Sequence, residues 1–319
     1  MMKSLLMVGW VMLGVTTLVR AELEVEEREE TIVLLDQKNE LVMYHKAEVD
    51  PPEGVDLVYR RSGFLHPVKT PKGREVTGIH PSDHYHHLGL WHAWVKTNYH
   101  GEEIDFWNLK KGVGRVRYAE TIELISEDGA AGFVVKQEHV AYLGETKKET
   151  IVLEETFRVR ARKVDGAYEI DYVTEQKHVG EHVLELPAYR YGGPIAYRAP
   201  HDWDKTNSDY LSSEGKTRID GHQTRSRWCA FSGPSQDGEG AISLAILSHE
   251  QNHDAPQRMR VWPPKSNNGA IFFNYVPIQE HPWALEPGDV SAMKYRLVVK
   301  DAAADPADLN PRWERFVGE

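Results

Sequence analysis

Apolar and polar residues alternate along this chain with a period of two. Ile151, Leu153, Phe157 and Val159 fall on one parity, and Glu154, Thr156, Arg158 and Arg160 on the other. Successive side chains of an extended strand point to opposite faces, so this is the pattern of a strand with one face buried. Glu155 is the one break in the apolar parity. Similar runs at 31–35, 41–45, 115–125, 133–142, 168–173, 241–247, 270–275 and 294–299 predict further strands. Turn signals such as Glu127-Asp128-Gly129, Val164-Asp165-Gly166 and Gln236-Asp237-Gly238 separate many of them. A helix is predicted only at the end, where Asp305-Pro306 caps and starts a turn leading through Trp313 to Phe316, with Pro311 interrupting it. The pattern predicts an all-β fold, a large two-sheet antiparallel β-sandwich with a short C-terminal helix. No repeat or linker-like tract divides residues 22–319, so they read as one domain.

The first 21 residues follow a different rule. Lys3 opens a short positive start, 4–19 form an almost uncharged apolar run, and Val19-Arg20-Ala21 approximates a small-residue cleavage site. This predicts a signal peptide, 1–21, and an exported protein, periplasmic or secreted. Once the signal is removed, no membrane association is expected. Lys and Arg number 38 against 49 Asp and Glu, for a formal net charge of -11, so the chain has no basic field with which to bind nucleic acid. Its one cysteine, Cys229, excludes an internal disulfide and any multi-cysteine metal site. A metal would therefore sit on His, Asp or Glu.

Such residues crowd one stretch. His80, His84, His86, His87, His92 and His100 lie within 21 residues, beside Asp83, Trp91 and the run Asp105-Phe106-Trp107. Imidazole is both the commonest neutral metal ligand and the side chain best suited to proton transfer near neutral pH. If 85–95 is extended, His86 and His92 share one face, and His87 shares the other with Trp91. His84, His86 and His87 could hold a divalent metal ion, and His84 and His87 with Asp83 or Asp105 could make a two-His, one-carboxylate site. Equally, one imidazole with a carboxylate partner could serve as general acid or base without metal. The string His249-Glu250-Gln251-Asn252-His253 matches a zinc-protease motif. Its polar middle and the nearby Pro256 place it in a loop after a strand instead.

The order Asp83-His84-x-His86-His87-x-Gly89-x-Trp91, Asp105-Phe106-Trp107, Tyr191-Gly192-Gly193, Arg225-x-Arg227-Trp228-Cys229 and Ser248-His249-x-x-Asn252 resembles a secreted bacterial family of unknown function often labelled "methane oxygenase PmoA". The resemblance runs from about Phe64 to Asp301 and implies a sandwich in the style of galactose mutarotase domains. A membrane oxygenase subunit would need several spanning helices, and beyond Ala21 no apolar stretch approaches the roughly 20 residues of one span. The segment from Glu280 to Gly288 is similar to the late, glutamate-containing part of mutarotase-like chains, which implies Glu280 as a base.

These readings converge on an exported carbohydrate-processing enzyme of epimerase, lyase or hydrolase type, acting on a small-molecule or oligosaccharide substrate. His84 or His87 would be the general acid or metal ligand, Asp105 would orient it, and Glu280 would be the base. Trp91 and Trp107 suit sugar rings, and Arg190, Arg198, Arg227, His249 and Asn252 suit hydroxyls and carboxylates. Two alternatives stand beside it: a redox metalloprotein, as the family label implies, and a non-catalytic glycan-binding protein. The enzymatic reading requires the imidazoles of 80–92 to converge on one pocket beside Asp105.

Overall fold

A computed structural model describes residues 23–319; the expected signal segment lies outside the described residues. The alternating runs form two eight-stranded antiparallel sheets. The first contains, in spatial order, Leu23–Glu27, Thr31–Asp36, Asn39–His45, Phe64–Val68, Leu90–Ala93, Gly193–Arg198, Phe272–Tyr275 and Met259–Val261. The second runs Asp209–Ser212, Trp228–Pro234, Ala241–Ser248, Val290–Lys300, Ala167–His178, Lys148–Val164, Ala130–Leu143 and Gly114–Glu127. A third, four-stranded sheet of three-residue strands includes Thr97–Tyr99 and Leu184–Leu186.

All nine predicted strand runs lie within or overlap strands of the two large sheets. Inward residues of these sheets interdigitate: Tyr44 packs on Phe133 and Phe157, and Phe231 on Tyr197 and Phe273. One apolar core joins them, and a smaller one lies under the C-terminal helix. That helix spans Pro306–Gly318 and is capped by the Asp305 side chain, which accepts from the Ala307 N–H. Pro311 does not interrupt it, contrary to expectation. Buried Leu309 on one side and Arg312 and Phe316 on the other hold the chain helical through the proline, at the cost of one hydrogen bond.

Glu155 explains its own break in the apolar pattern. It is wholly buried and points into the space between the sheets. His92 Nδ1, from the first sheet, lies 3.0 Å from one carboxylate oxygen, and Thr174 donates to the same oxygen at 2.6 Å. His139 Nε2 lies 2.7 Å from the other oxygen. Burial alone would raise the Glu155 pKa, but the neighbouring His92 and the hydrogen bonds from His139 and His92 hold it well below the usual carboxylate range. Arg61, also buried, supplies the counter-charge; burial pulls its pKa down to about 10, which still leaves it cationic at neutral pH. Its guanidinium donates to the backbone carbonyls of Ser62 and His92.

Two outcomes follow. Glu155→Gln turns an amide donor toward donors and leaves Arg61 without its counter-charge, so urea unfolding should register a loss of about 3–5 kcal/mol, the scale for breaking a buried charge pair; a loss under about 1 kcal/mol would contradict the pin. Burial also pushes His66 down to about 3, and His80 and His139 to about 4, so the folded protein holds them neutral. The unfolded chain takes up those protons below its ordinary pKa of about 6.5. Stability should therefore fall as pH drops from 7 to 5, read as a falling urea midpoint, whereas a flat or rising midpoint would contradict this reading.

Candidate functional site

Residues 79–88 form a loop tied at its neck. An isolated bridge pairs Ile79 with Leu88, and His80 N–H donates to His87 O at 2.9 Å. Within it two turns follow in succession, His84 N–H to Pro81 O at 2.9 Å and His87 N–H to His84 O at 3.0 Å. Gly89 makes the exit possible. Its φ is +62°, and a Cβ there would come within 2.4 Å of Leu65 O. The chain then enters the strand Leu90–Ala93, so only the later part of the expected extended segment is a strand.

This geometry divides the histidines. His92 points between the sheets to Glu155, while Trp91 takes the opposite face and supports His87 at a ring separation of 5.2 Å. His86, held in the turn, does not share a face with His92. It joins His84 and His87, with ring centroids 5.4 and 4.8 Å away. His84 and His87 are stacked at 4.7 Å. The three line a cleft of about 150 Å³ together with Trp107, Asn108, Arg190, Tyr191, Arg260, Trp262 and Phe272. His80 lies apart, its electrostatic neighbours being His201 and His45, and His100 stacks on His182 at 4.0 Å.

Charge and burial set the protonation states. Burial, reinforced by His84 and Arg198, pushes His86 down to about 3. Burial with His86, Arg198, His84 and Arg260 also takes His87 well below the ordinary imidazole range. Both are neutral near pH 7. Arg198 Nη1 lies 3.4 Å from His87 Nδ1, and because guanidinium only donates, that nitrogen accepts and Nε2 carries the proton. Arg198 is itself held by Asp83 at 3.1 Å and packs over Trp262. The buried His84 Nδ1 lies 3.4 Å from Asp83 Oδ2. Among the described residues, no Asp or Glu lines the cleft.

Other residues singled out in the sequence sit differently. Asp105 does not orient a histidine. Its carboxylate accepts from the Trp107 and Asn108 N–H groups, both at 2.9 Å, and from Asn108 Nδ2 at 2.8 Å, an Asx turn that presents Trp107 and Asn108 to the cleft. Asn108 in turn accepts from the Tyr191 hydroxyl at 3.2 Å. Trp91 lies behind His87 rather than on the cleft surface. Glu280 pairs with Arg258 at 2.6 Å and Arg225 at 3.4 Å and does not line the cleft. Arg227 and His249 line a separate pocket with Trp313, and Asn252 clamps the backbone of Lys294. The string from His249 to His253 lies in turns after Ala241–Ser248, as expected. Asn108, Tyr191 and Arg260 carried no separate prediction as site residues. Tyr191 stood in a quoted motif, whereas Arg260 had no signal.

The stacking of His84 on His87 bears on the metal expectation, because in-plane lone pairs of near-parallel rings do not meet at one point. Among the described residues, the one trio with ligand atoms within 4.8 Å of one another is His92, His139 and Glu155. That trio fits a cation poorly. Trp94 Nε1, a donor only, gives its proton to Gln176 Oε1 at 2.9 Å, which turns the Gln176 amide nitrogen inward to 3.1 Å from both His92 Nε2 and His139 Nε2. An N–H donor thus stands where a metal would need electron pairs.

Solved structures similar to this chain include a galactose mutarotase-related enzyme from Lactobacillus acidophilus, 9% identical, covering 89% of this chain and 100% of that one, with a TM-score of 0.39. An α-galactosidase from Lactobacillus brevis is 11% identical over 88% of this chain and 40% of its own, with a TM-score of 0.44. The α-galactosidase AgaB from Geobacillus stearothermophilus is 10% identical over 91% and 41%, with a TM-score of 0.40, so this chain spans about two fifths of either α-galactosidase. Comparison with curated proteins gives no match. A family model does match residues 31–314, from the second strand into the C-terminal helix and across the whole histidine loop. By that match, the protein belongs to DUF6807, a family of unknown function.

Proposed function

We propose that this protein is a carbohydrate-processing enzyme that moves protons with neutral imidazoles, and that the cleft around His84, His86 and His87 is its working site. One observation carries the reading: three imidazoles and an aromatic wall enclose a cleft that, among the described residues, no Asp or Glu lines. Hydrolysis by paired carboxylates needs two acids flanking the bond, so the cleft favours epimerase or lyase chemistry over a two-carboxylate hydrolase. A neutral imidazole nitrogen takes a proton from the sugar. It is then returned on the other face, or the electron pair left behind expels an oxygen leaving group. His87, fixed through Arg198 to Asp83, offers an N–H, and His84, beside Asp83, lines the same cleft. Trp107, Trp262 and Phe272 supply an apolar lining for a ring. The apolar start of the chain supports export of such an enzyme.

His84→Gln, His86→Gln and His87→Gln should each lower turnover of a responsive substrate from a panel of plant and algal mono- and oligosaccharides by about 100-fold or more. His84 is half-buried, so its variant should keep the wild-type melting temperature. Unchanged turnover in all three would remove the imidazoles from the mechanism, and unchanged sugar binding without any turnover in the wild type would favour the glycan-binding alternative. Because burial keeps His86 and His87 neutral, kcat/KM should hold its plateau as pH falls through 6.5. An acid limb centred on the ordinary imidazole pKa would contradict the assignment of proton transfer to His86 and His87.

A further inference from the structure

Arg190 and Arg260 stand out from the other charged groups of the molecule. Arg190 is exposed in the loop after Leu184–Leu186, and Arg260 is half-buried in the middle of the edge strand Met259–Val261. Both guanidiniums lie over one ring, Tyr191, at 5.6 and 5.2 Å from its centroid, and both line the cleft. Most arginines elsewhere in the fold are matched by acids, such as Arg74 with Asp237 at 2.8 Å, Arg296 with Asp171 at 2.7 Å, and Arg312 with Glu169 at 2.7 Å, while Arg61 and Arg218 donate to backbone carbonyls. Among the described residues, neither Arg190 nor Arg260 has a carboxylate within 4.0 Å or a hydrogen-bond acceptor for its guanidinium. Burial lowers the Arg260 pKa, and the charge of Arg190 lowers it further. In a chain with 49 acidic residues and a net charge of -11, this cleft gathers cations and excludes the acids that would neutralise them.

Two guanidiniums that line one cleft without counter-charges are stabilised when an anion enters it, because each presents a planar fork of donors suited to two oxygens of one acidic group. The other walls limit what carries that anion. The cleft, at about 150 Å³, is smaller than the ~300–1,000 Å³ typical of drug-sized sites, so it admits about one sugar ring. Trp107 and Trp262 line the same cleft, and Asn108 and the imidazoles offer polar partners for hydroxyls.

We infer that the substrate is an anionic sugar whose acidic substituent, a uronate carboxylate or a sulfate ester, is held by Arg190 and Arg260 while its ring lies against the aromatic wall. The inference rests on the reading of the cleft as a sugar site and names the chemistry selected there. Arg190 and Arg260 are on this account binding residues, and their removal should act on affinity for the charged substituent rather than on binding of the ring.

Calorimetric titration of the wild-type protein and of an Arg190→Gln, Arg260→Gln double variant tests it, with D-glucuronate, D-galacturonate and D-galactose 6-sulfate against D-glucose, D-galactose and inorganic sulfate. The anionic sugars should bind the wild type at least about tenfold more tightly than their neutral parents, and the double variant should lose that preference while keeping its affinity for the neutral sugars. Tighter binding of the uronates assigns the carboxylate, and tighter binding of the sulfated sugar assigns the ester. Equal affinity for charged and neutral sugars, or a preference that survives in the double variant, overturns the inference and leaves the sugar site standing. Inorganic sulfate binding as tightly as any sugar keeps the guanidinium pair but overturns the sugar reading, and binding of none of the probes overturns both.

Discussion

A carboxylate sealed between two sheets is the constraint on which the rest of this structure depends. Glu155 cannot reach water, so its charge must be met where it lies, and the donors that meet it come from both sheets. His92 is the donor from the first sheet. It belongs to the four-residue strand Leu90–Ala93, whose preceding residue, Trp91, faces the other way and backs His87. A period of two thus couples the buried charge to the wall of the cleft. If His92 moved, the strand would shift with it, and the histidine loop anchored just before that strand would lose its support.

The core and the cleft treat charge in opposite ways. Inside, Glu155 is balanced by Arg61 and saturated by His92, His139 and Thr174, while Gln176 closes the remaining space under the direction of Trp94. This is a buried polar network that bridges both sheets, of the kind that fixes one arrangement of a core. In the cleft, the neutral imidazoles of His86 and His87 sit beside guanidiniums without counter-charges. Unmatched polar groups at an accessible surface are where a ligand gains most, since it supplies the missing partners. The same residue type therefore serves two ends, and burial against a carboxylate or beside arginines decides which.

Much of this was legible from residues alone. The alternation located strands of both large sheets, and the cap at Asp305 located the helix start, because each depends on local spacing. The three-residue strands of the small sheet were too short to show a period. Glu155 announced itself as a polar residue on an apolar parity, but periodicity gives the face of a residue and not its partner across the sandwich. Crowding of histidines marked the loop correctly yet could not divide it. His92 departs because it lies on a strand with the opposite facing, and His86 stays because two tight turns precede Gly89. Asp105 read as a partner for imidazole, whereas its oxygens serve its own turn. Arg260 arrives from an edge strand remote in sequence, and no motif could have placed it.

The most direct measurement follows the side-chain imidazole nitrogens by NMR in uniformly 15N-labelled protein as D-galacturonate is added. The account predicts that resonances of His84, His86 and His87 shift with saturation while those of His92 and His139, closed in the core, stay fixed. Shifts confined to His249, His100 or the core pair, with the loop histidines unmoved, would contradict it.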